Sequence, residues 1–181
     1  GIPLIVDEAH GAHFGFHPYF PENANQQGAD VVIHSVHKTL PAPTQTALLH
    51  MNGNLADREA VRKYLHMFQS SSPSYILMAG IDACMGLLET KADDLFSKYA
   101  DRLQRTRKKL GKLKNLELEE SEHFDRSKIV ISTKNTMLTG KQLYEELLEH
   151  YHLQMEMAAG VYIIAMTSIG DTDAGMERLE D

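Results

Sequence analysis

The first fifty residues carry three short apolar runs, "PLIV" at 3–6, "DVVI" at 30–33 and "TALLHM" at 46–51. The first two are β-branched and lack polar alternation, the pattern of strands buried on both faces of a parallel sheet, and the third reads as another strand of the same kind. Between the first two lies "DEAHGAHFGFHPYFPENANQQGA", rich in Gly, Pro, Asn and aromatic residues. It reads as loop with at most one helical turn, and so long a loop in a compact domain is usually functional. "ADREAVRKYLHMF" at 56–68 has helical spacing, and "SSSPSY" breaks it with a run of three serines followed by a proline.

From Ser74 to about Lys114 the pattern is helical almost throughout, with Leu77, Ile81, Met85 and Leu88 on one face and Leu95, Tyr99, Leu103 and Leu110 further on. That length exceeds an ordinary globular helix, so a bend or break is expected near Asp93, with the second half linking two domains. After Leu113 the character changes. "LELEE" (116–120), "SKIVIST" (127–133) and "YIIAMTS" (162–168) read as strands. "TGKQLYEELLEHY" (139–151) reads as a helix capped by Thr139, and a last helix starts with Thr172 or Asp173 as its cap. The expected architecture is α/β over residues 1–105, followed by a small α+β domain over 106–181.

Composition narrows the class without naming a function. At 181 residues and 43% hydrophobic content the chain can bury a sizeable core, and 24% charged residues is ordinary for a soluble globular protein. A net charge of −7 argues against a nucleic-acid surface. No stretch approaches the roughly 20 apolar residues of a membrane span. The single cysteine, Cys84, lies in an apolar run and reads as a packing residue, so a reducing cytoplasm is the simpler expectation. Gly1 opens directly into a strand and Asp181 falls inside a helical pattern. A piece of a longer protein is therefore expected.

Chemistry concentrates at two strand ends. Asp7 follows the first apolar run and Lys38 the second, and open α/β sheets hold ligands at the carboxyl ends of their strands. A carboxylate there can hold a protonated pyridine nitrogen, and a lysine can form an imine. The plainer alternative is that Asp7 caps a turn and Lys38 snorkels to solvent.

The segments "VDEAHGAHFGFHP", "GADVVIHSVHKTLPAPTQTALLH" and "QSSSPSYILMAGIDACMGLLE" occur in that order across residues 4–89. Together they resemble the bacterial ornithine/lysine/arginine decarboxylases, pyridoxal-phosphate enzymes of the aspartate aminotransferase superfamily. S-x-H-K following D-x-A-H at this distance is far more specific than either motif alone. The resemblance implies fold type I, with this chain holding the C-terminal half of the cofactor domain and then the small domain. It implies that Lys38 bonds the cofactor aldehyde, and burial there would favour the neutral, nucleophilic amine. Asp7 would keep the pyridine nitrogen protonated, Ala9 would pack on one ring face, and His10 would lie near the ring edge. Ser35 and His37 would hold the phosphate or the lysine region, with His37 also a proton donor. Ser70 and Ser71 would reach the phosphate of the neighbouring subunit in a homodimer or larger homo-oligomer. The family's upstream phosphate turn and its ring-stacking aromatic do not occur in these residues, so the piece alone is expected to bind cofactor poorly and to be inactive.

The implied activity is decarboxylation of lysine, ornithine or arginine to the corresponding amine. An aminotransferase of the same superfamily, or a catalytically dead remnant serving as a scaffold, are the alternatives. "DEAH" also marks a helicase motor, but the G-x-x-x-x-G-K-S/T loop which that reading needs does not occur. His10, His13 and His17 are closely spaced and His34 and His37 follow, yet H-E-x-x-H is absent and the loop contains Gly and Pro, so no metal is expected. The nine methionines, including "MEM" at 155–157, read as core filling, and "RKKLGKLK" (107–114) as a solvated helix face.

Overall fold

A computed structural model describes all 181 residues and divides into two compact units, Gly1–Ala92 and Asp93–Asp181. The first holds β1 (Ile5–Asp7), β2 (Val31–Ser35), α1 (Val36–Thr39), β3 (Ala47–Met51), α2 (Arg58–Phe68) and the first half of α3 (Tyr75–Leu110). The second holds the rest of α3, then β4 (Glu117–Glu119), β5 (Lys128–Ser132), α4 (Gly140–Tyr151), β6 (Met157–Ala159), β7 (Tyr162–Met166) and α5 (Asp173–Glu180). No helix is long and apolar enough to cross a membrane.

In the first unit the sheet order is β1-β2-β3. β1 and β2 run parallel, pairing Ile5 with Val31 and Asp7 with Ile33. β3 is antiparallel to β2, pairing His34 with Leu48, which corrects the parallel expectation. The link between residues 35 and 47 is too short for the crossover that a parallel neighbour needs. The apolar run at 3–6 is not buried as its pattern suggested: Leu4 and Ile5 are 56% and 63% exposed on an edge strand. The core of this unit is small, built on Ala24, Ala29 and Val32 with Val6 packed against them.

The long loop after β1 contains no helix and is built from turns. Both its ends are tied down. The Glu8 amide donates to the Ile33 carbonyl at 2.9 Å, and the Asn52 side chain donates to Asn25 Oδ1 and the Ala29 carbonyl. α2 is capped by Asp57, whose carboxylate accepts from the amides of Glu59 and Ala60. No residue of α2 is fully buried, and Tyr64 and Phe68 stack on its exposed face.

α3 is one continuous helix, so there is no break near Asp93. There is no Pro in it to break the hydrogen-bond ladder, and Asp94 pairs with Lys98 one turn on. Its second half is a core element rather than a bare linker: Phe96, Tyr99, Ala100, Leu103 and Leu110 are all buried. The compact units consequently part at Ala92/Asp93, earlier in the helix than the division at 105/106 that the sequence suggested.

The second unit is a fully antiparallel sheet in the order β4-β5-β7-β6. β5 and β7 alternate cleanly, and Ile129 and Ile163 are completely buried. Most buried polar groups here are paired, the Thr133 hydroxyl being an exception. Tyr99 donates to the Thr167 hydroxyl at 2.7 Å, and that hydroxyl donates to the Ser127 carbonyl at 2.7 Å. The buried Arg107 guanidinium bonds Glu120 through Nε and Nη2 and the carbonyls of Arg126 and Lys128 through Nη1, and it lies over the Phe124 ring. α4 has a full capping box between Thr139 and Gln142, and α5 is capped by Thr172. Gly140 opens α4 against β7 so closely that a Cβ would sit 2.3 Å from the Tyr162 carbonyl oxygen. β6 has no counterpart in the sequence reading. Of the methionines around it, Met155 is buried as core filling while Met157 begins the strand and is 42% exposed.

Candidate functional site

Because β1 and β2 run parallel, Asp7 and the residues after Ser35 emerge at the same edge of the sheet. Lys38 sits on the single-turn helix α1, half-buried, with its amino nitrogen 2.9 Å from Nε2 of His10. Thus the first apolar run delivers a carboxylate and an imidazole, and the second an amine, to one place. Asp7 itself is exposed, and its Oδ1 accepts from the Ala9 amide at 3.1 Å. This side-chain turn reverses the chain after β1 and carries His10 back towards Lys38. Gly11 follows for a steric reason, since a Cβ there would lie 2.6 Å from Glu8 Cγ and 2.6 Å from the Phe14 ring. Ala9 is half-buried beside them.

His37 is held by a different contact. Its Nδ1 lies 2.9 Å from the Thr46 carbonyl, which requires the proton on Nδ1 and leaves the lone pair of the neutral ring on Nε2. The same carbonyl accepts from the Val36 amide, fixing the start of α1. Ser35 occupies the N-cap of α1 without capping it through its side chain. Ser70 and Ser71 lie in the exposed link between α2 and α3, where the Ser70 hydroxyl donates to the Ser72 carbonyl.

A second polar cluster, absent from the sequence reading, lies on the face of the same sheet. His34 Nε2 is 2.7 Å from Glu8 Oε2, His34 Nδ1 is 3.1 Å from His50 Nε2, and the Asn23 amide is 3.4 Å from His34. The Glu8 carboxylate also accepts from the Ala24 amide at 3.1 Å. An ionised carboxylate only accepts, so His34 donates from Nε2 to Glu8 and accepts at Nδ1 from His50. Burial lowers the pKa of His50, the neighbouring His34 lowers it further, and Glu8 opposes both. Its His34, His50 and Asn23 side chains line a cavity of about 170 Å³, with Asn25, Phe16 and Met85 among the other lining residues. The only hint in the sequence is that His34 and His50 interrupt apolar runs at positions whose neighbours point to the same face. Cys84 is 2% exposed and burial raises its pKa, in keeping with a packing role.

The donor set at the strand ends (one carboxylate, one imidazole, one amine and a small Ala9) suits a flat, charged ring with a reactive aldehyde. Residues 1–176 match the family described as Orn/Lys/Arg decarboxylase, major domain, and the chain belongs to that family. It is 32% identical to an arginine decarboxylase of Halalkalibacterium halodurans over 98% of this chain and 38% of that protein. The fold matches the lysine decarboxylase LdcF of Francisella novicida with a TM-score of 0.79 at 19% identity, covering 97% of this chain and 31% of that one. An alanine–glyoxylate aminotransferase from Nostoc shares it with a TM-score of 0.67 at 15% identity, over 98% of this chain and 52% of that one. The chain therefore spans well under half the length of the curated arginine decarboxylases it matches.

Proposed function

We propose that this chain carries the lysine-bearing part of a pyridoxal 5′-phosphate-dependent decarboxylase acting on lysine, ornithine or arginine, namely the C-terminal part of the cofactor domain followed by a small α+β domain. The observation that carries the reading is the meeting of Lys38 with His10 at the strand edge where Asp7 also emerges. When bound, pyridoxal phosphate supplies an aldehyde for a lysine and a ring that takes up the electron pair left by departing carbon dioxide. Lys38 is the residue that holds the group covalently, and His10 orients its amine. Asp7 keeps a proton on the ring nitrogen by placing a carboxylate beside it. Ala9 leaves room for a flat ring where a larger side chain would fill the space. His37, with Nδ1 committed to Thr46, has Nε2 with which to move a proton to the substrate carbon. Ser35 lies at the strand end, within the loop-and-helix segment that would meet a phosphate, and Ser70 and Ser71 are assigned to the phosphate of a neighbouring subunit in a homodimer. The exposed position of these two serines supports an intermolecular role. A cytoplasmic location completes the reading.

The test is to express the longest native form and add pyridoxal phosphate. A visible absorption band from the bound cofactor, its loss in Lys38→Ala, and release of carbon dioxide with the matching amine from one basic amino acid are expected. A keto acid in place of the amine would make the protein an aminotransferase. A band that survives Lys38→Ala would remove Lys38 from its role.

A further inference from the structure

We infer that Glu8, His34 and His50 form a strap across the sheet, buried at Glu8 and His34 and half-buried at His50, that sets the spacing between Asp7 and Lys38, making Glu8 and His34 positioning residues for the cofactor. The inference deepens the proposed function and rests on it. Its basis is where the three residues sit. Glu8 follows the end of β1, His34 lies in β2 and His50 in β3, so the chain of hydrogen bonds at 2.7 and 3.1 Å crosses all three strands of the sheet in order. Successive residues of an extended strand point to opposite faces, so Asp7 and Glu8, adjacent in sequence, serve opposite sides of the same strand end. The residue that touches the site and the residue that anchors it share one peptide bond.

Several features set the strap apart from incidental surface contacts. The side chains of His34 and Glu8 are 7% and 9% exposed. Glu8 makes a second anchor on the Ala24 amide, which pins the loop bearing Ala9 and His10. The Glu8 amide in turn bonds β2 at Ile33, two residues before the segment that leads to Lys38. β1 is a three-residue edge strand in which Ile5 is largely exposed and Val6 alone packs on the small core, so it has little packing of its own to hold Asp7 in register. A carboxylate–imidazole–imidazole chain supplies that rigidity through directional bonds, the way outer partners orient the groups that hold a metal or cofactor. Each link depends on the one before it: Glu8 places the proton on His34 Nε2, and this leaves Nδ1 as the acceptor that His50 needs.

The test uses the full-length protein and four variants. Glu8→Ala and His34→Leu remove the central links, His50→Phe removes the outer one, and Glu8→Gln keeps an oxygen able to accept from both Ala24 and His34. Cofactor affinity is measured by titrating pyridoxal phosphate at a temperature where circular dichroism shows every variant folded. Amide hydrogen exchange at Ala24 is followed in the cofactor-free protein. Expected are a loss of affinity of about tenfold or more in Glu8→Ala and His34→Leu, a smaller loss in His50→Phe, and near-complete rescue in Glu8→Gln. Faster exchange at Ala24 should accompany the loss in Glu8→Ala. If Glu8→Ala and His34→Leu lower only the melting temperature and bind cofactor as the parent does, the strap is scaffold and the inference fails. If the parent itself gives no cofactor band, the functional reading fails with it, whereas a normal parent with unaffected variants overturns the strap alone.

Discussion

The two units bury polar groups for different ends. In Asp93–Asp181 an apolar core, with Phe96, Leu103, Ile129 and Ile163 completely buried, surrounds a few polar side chains that are paired apart from the Thr133 hydroxyl, as Tyr99 is with Thr167. In Gly1–Ala92 the apolar core is small and the strand ends carry a carboxylate, imidazoles and an amine bonded to one another. The second unit places hydrogen bonds where they complete a core. The first places them where they position reactive groups, and it leaves Tyr64, Phe68, Tyr75 and Ile76 exposed. A region that must hold titratable groups at a sheet edge has less apolar surface left to bury, so directional bonds take over part of the holding.

The largest effect is expected from Lys38→Ala in the full-length protein. Removing the proposed attachment residue should reduce turnover by at least about 10³-fold, with the melting temperature unchanged, measured by amine release and calorimetry. The opposite signature belongs to the other unit. Phe96→Ala should cost about 3–5 kcal/mol by denaturant unfolding while leaving cofactor affinity of the folded protein intact. Loss of cofactor binding at full foldedness would erase the contrast between the units. Tyr99→Phe sharpens it on a finer scale: deleting one paired buried hydroxyl should cost about 1 kcal/mol.

Acid should act on the first unit. His50 has its pKa lowered by burial, so the unfolded chain binds a proton that the folded chain resists. Its contribution to stability is therefore full above the ordinary imidazole value of 6.5 and is lost as pH falls through that value towards the lowered one. A series of melting curves from pH 8 down to 5 should show this decline, flatter in His50→Phe. The smallest effect is expected at Lys98, whose ion pair with Asp94 is solvent-exposed on both sides. Lys98→Ala should change stability by no more than about 0.5 kcal/mol.

Much of this was legible in the residue pattern. The three strands of the first unit, the capped helices and the alternating β5 and β7 follow from local rules, and Thr139 caps α4 as its spacing suggests. Asp7 and Lys38 were readable as candidates because each follows an apolar strand. The exposure of β1 and the antiparallel course of β3 were not readable, since an apolar run of four residues does not say which neighbour it will have. β6 was hidden because three residues are too few for periodicity to show. The continuity of α3 is set by the lack of any helix-breaking residue within it, and helix length alone does not reveal that.

By itself the sequence determined the elements other than β6, several of their caps and the chemical types at the strand ends, because these depend on neighbours a few residues apart. Only the tertiary structure decided that His10 meets Lys38 and that Glu8, His34 and His50 align across three strands. Such contacts join residues sixteen to twenty-eight positions apart, and their partners are chosen by strand pairing and register, which local pattern does not encode.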